Sequence, residues 1–115
     1  MNPETLFYLL SDPTRLRCLM LIHTEQEICV CELTHALEES QPKISRHLAL
    51  LRDEGVVIAR REGTWMHYRV NSKLPAWARR SLTLQMRQLE PLEPFPADRD
   101  RLQSMDMRPG ALDCA

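Results

Sequence analysis

The chain has 115 residues, an apolar fraction of 43% and a formal net charge of −1, values that suit one domain with a modest core. It has no apolar run near the ~20 residues that cross a bilayer, and the opening Met1-Asn2-Pro3-Glu4-Thr5 lacks the pattern of a secretory signal. A cytoplasmic location is expected, where cysteines stay reduced and act as ligands or redox groups rather than as bridges.

In chain order, Thr5–Leu10 reads as a short helix stopped by Ser11-Asp12-Pro13. Asp12 is a good N-cap and Pro13 fits a first helical position, so a second helix starts there, with Leu16, Leu19, Met20 and Ile22 at helical spacing. A third runs from about Cys31 to Glu38. Ser40 caps a fourth, with Gln41 and Pro42 in its first turn, which ends at Gly55. Two strands, Val56–Arg60 and Trp65–Val70, flank the turn Arg61-Glu62-Gly63-Thr64 as a hairpin. A last helix follows Leu74-Pro75, with Ala78, Leu82, Met86 and Leu89 along one stripe. Residues 1–90 form the expected domain. Pro91, Pro94, Pro96 and Pro109 break any helix beyond it, so residues 91–115 are expected to be a mobile tail.

Helices followed by a hairpin with a basic turn describe a winged helix-turn-helix: mainly α, about five helices and a small β-hairpin. The charge pattern agrees. Residues 25–39 carry Glu25, Glu27, Glu32, Glu38 and Glu39 with no Lys or Arg, whereas residues 41–69 carry Lys43, Arg46, Arg52, Arg60, Arg61 and Arg69 against three acids. A binding surface responds to that local field rather than to the net charge. The fourth helix is the expected DNA reader. Ser40, Gln41, Lys43 and Ser45 stand at its start, with Arg46 and His47 behind them; Gln pairs with adenine, and Ser bonds base edges or phosphates. Arg60 and Arg61 would set the wing on the backbone or minor groove.

Several motifs carry a family resemblance over residues 3 to about 90. "SDPTRLR" at 11–17, "QPKISRHL" at 41–48, "GTWMHYRV" at 63–70 and "PAWA" at 75–78 resemble, in order, the ArsR/SmtB metalloregulatory repressors. "CVCEL" at 29–33 resembles the arsenic-responsive branch. The resemblance implies a homodimer that binds double-stranded operator DNA and leaves it when trivalent arsenic, or antimonite, binds. It also implies dimer contacts through the first and last helices, where Leu6, Leu9, Leu10, Trp77, Ala78, Leu82, Met86 and Leu89 fit that role. Core packing would account for the same stripes.

Soft thiolates select thiophilic ions, which makes Cys29 and Cys31 the candidate ligands. In one regular helix, residues two apart point to nearly opposite sides at ~100° per residue. To share an ion, residues 29–31 must be extended or the first helical turn must unwind, and that turn leads into the DNA-reading unit. Some arsenic-sensing relatives carry a third cysteine where this chain has Thr34, so the third ligand is left to solvent, Cys114 or a non-sulfur group. Cys18 lies on an apolar stripe and reads as core. Zinc-sensing relatives use ligands on the last helix, but residues 75–90 hold no His or Asp. His23, His35, His47 and His67 have no convincing zinc-site spacing. Two other functions compete: the same fold sensing cadmium, lead or thiol oxidation, and a small thiol enzyme, disfavoured because no His or Asp adjoins the cysteine pair.

Overall fold

The computed structural model describes residues 1–106 and 108. Helices α1 (Pro3–Leu10) and α2 (Pro13–Glu25) lead to strand β1 (Ile28–Cys29), helices α3 (Val30–Leu37) and α4 (Gln41–Asp53), strands β2 (Val57–Glu62) and β3 (Trp65–Val70), and helices α5 (Ala76–Leu89) and α6 (Phe95–Gln103). The helix starts follow from local chemistry. Asn2 Oδ1 accepts the Thr5 N–H at 2.8 Å, Asp12 Oδ1 accepts those of Thr14 and Arg15 at 2.8 and 3.0 Å, and Ser40 Oγ accepts that of Lys43 at 3.3 Å. Each satisfies N–H groups that a helix leaves open at its N-terminus, and a proline occupies one of the first two positions of all three helices. After α4, Gly55 takes φ 80°, and Gly63 turns the wing at φ 61°, values at which a Cβ is strained.

Helix α2 is the spine of the domain: Cys18, Leu19, Met20, Leu21 and Ile22 are all buried, and Leu33, Leu37, Ile44, Leu48, Leu51, Val56 and Val57 pack in the same core. Each fully buried Leu or Ile there contributes about 1.5–3 kcal/mol. Cys18 lies in this core as expected, its thiol pushed up to about 12 by burial.

Two features correct the sequence expectation. The sheet has three antiparallel strands, in the order β1-β3-β2, with Ile28 opposite Tyr68 and Cys29 opposite His67; a two-residue strand has no periodicity to reveal it. There are six helices among the described residues, not five. Pro94 and Pro96 mark the start of α6, where a missing N–H costs nothing, and Phe95, Asp98 and Leu102 bury its inner face against α2 and α3. Cys114 lies outside the described residues. Among those residues no helix is long and apolar enough to cross a membrane.

Within the protomer, the residues expected at a dimer contact divide into two sets. Leu6, Leu9, Ala78, Leu82 and Met86 belong to the protomer's own core, since on both helices that stripe turns toward α2. Leu10 and Leu89 pack at its margin, and Trp77 is exposed. The apolar groups that α1 and α5 present outward are Phe7, Tyr8, Trp77 and Leu84, with Phe7 58% and Leu84 57% exposed.

Candidate functional site

Cys29 is the last residue of β1 and the N-cap of α3, with extended φ −88° and ψ 152°. It therefore stands outside the helix. Cys31 lies in the first turn, and the two sulfurs meet at 3.2 Å, the Cys31 thiol donating to Cys29. The opposition imposed by a regular helix does not arise, because strand pairing with His67 fixes Cys29 in an extended conformation. Two thiolates sharing one ion at bonds of about 2.3 Å, with angles between 90° and 109°, would stand about 3.2–3.8 Å apart. The pair is thus already close to the spacing of a two-thiolate chelate.

Cys29 is buried and Cys31 partly so. Burial first, and then the adjoining Cys29 sulfur, push the Cys31 thiol up to about 12. Glu32, at the third position of α3, returns its Oε1 to accept the Cys29 N–H at 3.0 Å, while the Cys29 sulfur faces the Glu32 N–H. This is a capping box with a thiol in place of the usual hydroxyl, and sulfur is a weak acceptor. The S/T-x-x-E signature was hidden from sequence reading by that replacement.

A cavity of about 240 Å³ opens beside the pair, lined by Cys29, Val30, Cys31 and Thr34 on one side and by Gln41, Thr64, Trp65 and Met66 on the other. Thiols, the first residue of α4 and the wing turn therefore share one space. Of the second group, only Gln41 was singled out from sequence, as a DNA reader. Thr34, in place of a third cysteine, donates to the Cys31 carbonyl at 2.9 Å. Among the described residues no group of three His, Cys, Asp or Glu side chains is placed to hold a metal ion.

On the reading face, Ser40, Gln41, Ser45 and Arg46 are exposed, and Lys43 is partly so, with its Nζ on Glu39 at 3.2 Å. His47 is turned the other way. Its Nε2 lies 3.7 Å from Asp12 Oδ1 and its Nδ1 3.4 Å from Arg15 Nη1, so it joins α4 to the start of α2. Burial holds its pKa below the usual value, opposed by Asp12 and assisted by Arg15. On the wing, Arg60 is held by both Glu27 oxygens and by Glu62, whereas Arg61 is exposed on the opposite face of β2. His67 is buried, and its Nε2 has no hydrogen-bond partner among the described residues.

A helix-turn-helix with an adjoining wing defines a DNA-binding regulator, and the comparisons agree. Residues 12–59 match the family model of bacterial regulatory proteins of the arsR family. The arsenic resistance transcriptional regulator ArsR2 of Pseudomonas putida is 47% identical over 109 residues, 94% of this chain and 92% of that protein. ArsR1 of the same organism is 54% identical over 77 residues, 67% of this chain and 60% of that protein's length. The AntR antimony-specific transcriptional repressor superposes with a TM-score of 0.63 at 30% identity over 78% of each chain. The chain belongs to the ArsR family of helix-turn-helix transcriptional regulators, which are not enzymes.

Proposed function

We propose that the protein is an operator-binding repressor of arsenic resistance, released from DNA when trivalent arsenic or antimony bridges Cys29 and Cys31. The observation that carries this is the 3.2 Å contact between the two sulfurs in a cavity shared with Gln41 and Trp65. Arsenite can take both thiols without redox chemistry: two As–O bonds break, two As–S bonds form, and the thiol protons leave with the hydroxyls as two waters. The third position on arsenic goes to solvent, to Cys114 or to a non-sulfur group. An ion lodged there stands between sensor helix, reading helix and wing, where it wedges the three elements apart and so disturbs the DNA-reading surface. The state preference needed for nearly complete release is about 5 kcal/mol.

The DNA-bound form is a homodimer on paired half-sites. Its contact surface is the outward face of α1 and α5, carrying Phe7, Tyr8, Trp77 and Leu84, with Leu10 and Leu89 at the margin. Ser40, Gln41, Lys43, Ser45 and Arg46 read the major groove and Arg61 meets phosphate, while Arg60, also expected on the wing as a DNA contact, is held back by Glu27 and Glu62. His47 serves instead as a strut between α4 and α2.

A second reading keeps the fold and changes the input to cadmium, lead or thiol oxidation. The 3.2 Å sulfur contact is the observation that favours it. Release from labelled operator DNA, titrated with arsenite, antimonite, cadmium, zinc and peroxide, separates these inputs. Cys29→Ser and Cys31→Ser should each keep operator binding and lose release by arsenite. Normal release by both variants would place the sensor elsewhere.

A further inference from the structure

Helix α3 is eight residues long and joins the thiol pair to the turn that starts the reading helix. Side chains from the far end of the chain hold it at both ends. At its C-terminus the Ala36 carbonyl accepts Arg101 Nε at 2.6 Å and the Leu37 carbonyl accepts Arg17 Nη2 at 3.1 Å, with Asp98 of α6 gathering both guanidiniums. At its N-terminus stands Glu32, only 3% exposed. A carboxylate so far from water needs partners for both oxygens. Oε1 holds the Cys29 N–H, and Oε2 accepts Arg108 Nε at 2.7 Å, while Arg108 Nη2 reaches Glu25 Oε1 at 2.8 Å at the end of α2.

We propose that Glu32 and Arg108 are positioning residues of the inducer site, a proposal that rests on the thiol pair being that site. The ion pair fixes the carboxylate, the carboxylate holds the Cys29 N–H, and this bond acts with the β1–β3 pairing to keep Cys29 in the extended conformation that brings its sulfur against Cys31. Without Arg108 the buried carboxylate loses its cation and turns toward water, releasing the Cys29 N–H. Inducer binding must then gather two thiols that no longer start together. Partners of this kind, one step behind the ligands, are worth about 10–100-fold in metal affinity. Neither residue lies on the reading helix or the wing, so DNA binding without inducer is left alone.

The test uses the full chain, with arsenite as the probe. Arsenite affinity is read from tryptophan fluorescence, since Trp65 lines the cavity, and operator affinity is measured without arsenite. Arg108→Ala should weaken arsenite binding about tenfold or more with operator affinity unchanged. Arg108→Lys, which keeps the charge and loses the planar fork, should recover part of the loss. Glu32→Gln, which keeps an acceptor for the Cys29 N–H, should fall between. Arsenite affinity unchanged in Arg108→Ala and Glu32→Gln, with Cys29→Ser still losing arsenite, would overturn the positioning role and spare the thiol site. A parallel loss of operator affinity would also overturn it, as the mark of a general structural role. Wild-type arsenite binding by Cys29→Ser would remove the thiol site and this proposal together.

Discussion

Arg17 on α2 and Asp98 on α6 meet across 81 residues of chain in a two-pronged pair, Nε to Oδ2 at 2.8 Å and Nη2 to Oδ1 at 2.7 Å. Arg101 adds a third bond to Oδ1 at 2.6 Å, and Asp98 is 1% exposed. A buried carboxylate is tolerated only when so paired, and its removal strands the cations around it. Asp98→Asn, of the same shape, should cost about 2–3 kcal/mol, the arginines regaining part of the loss because they reach water. Urea denaturation of the two proteins checks this; an unchanged midpoint would mean that α6 does not stabilise the domain.

The wing gives a prediction of opposite sign. Arg60 is tied to Glu27, two residues before Cys29, and Glu27 is held below the usual carboxylate pKa chiefly by that bond. Glu27→Gln together with Glu62→Gln, its second partner, frees the guanidinium for phosphate, so binding to all sequences should tighten and the salt dependence steepen by about one phosphate contact. Arg61→Ala should do the reverse. Fluorescence anisotropy on specific and random duplexes across a salt series reads both; identical slopes in the two variants would detach the wing from DNA.

Gln41 is exposed at the first position of α4 and also lines the thiol cavity. Gln41→Ala should lose about 1–3 kcal/mol at one base step and leave random-sequence affinity nearly unchanged. Equal loss on both kinds of DNA would make it a phosphate contact.

Acidification should weaken the fold through two histidines. Burial lowers the pKa of His47, and it likewise lowers that of His23 against the opposing pull of Glu90. The unfolded chain then binds more protons than the native one as pH falls through the ordinary value of 6.5, so stability from these groups is complete above that pH and declines below it. Urea midpoints at pH 7.5, 6.5 and 5.5 should fall, and fall less in a His23→Gln, His47→Gln double variant. A slope identical in both proteins would assign the acid sensitivity to other groups.

What could be read ahead of the structure was written locally. Asp12-Pro13, Ser40 and Gly55 each act within one turn of chain and mark the helix boundaries assigned to them, whereas the wing turn at Gly63 is tighter than expected because β2 continues to Glu62. What escaped depends on distant partners. Helix α6 has a weakly apolar sequence, and its buried Asp98 makes sense only beside Arg17. His47 follows Arg46 on the reading helix, and only packing against Asp12 and Arg15 turns it inward. The stripes on α1 and α5 were real, but periodicity cannot tell a helix which neighbour it will meet. The thiol pair was legible as chemistry. Its geometry was not, because the strand that fixes Cys29 is two residues long and pairs with a segment almost forty positions away.

On the proposed function, the capping role of Cys29 sets sensing against durability. At the N-cap of α3, a serine hydroxyl would accept the Glu32 N–H better than sulfur does, and good caps are worth about 0.5–2 kcal/mol. Cys29→Ser, proposed to lose release by arsenite, should therefore also be the sturdier protein. Any effort to harden this chain as a biosensor inherits the same conflict and must look for stability away from α3.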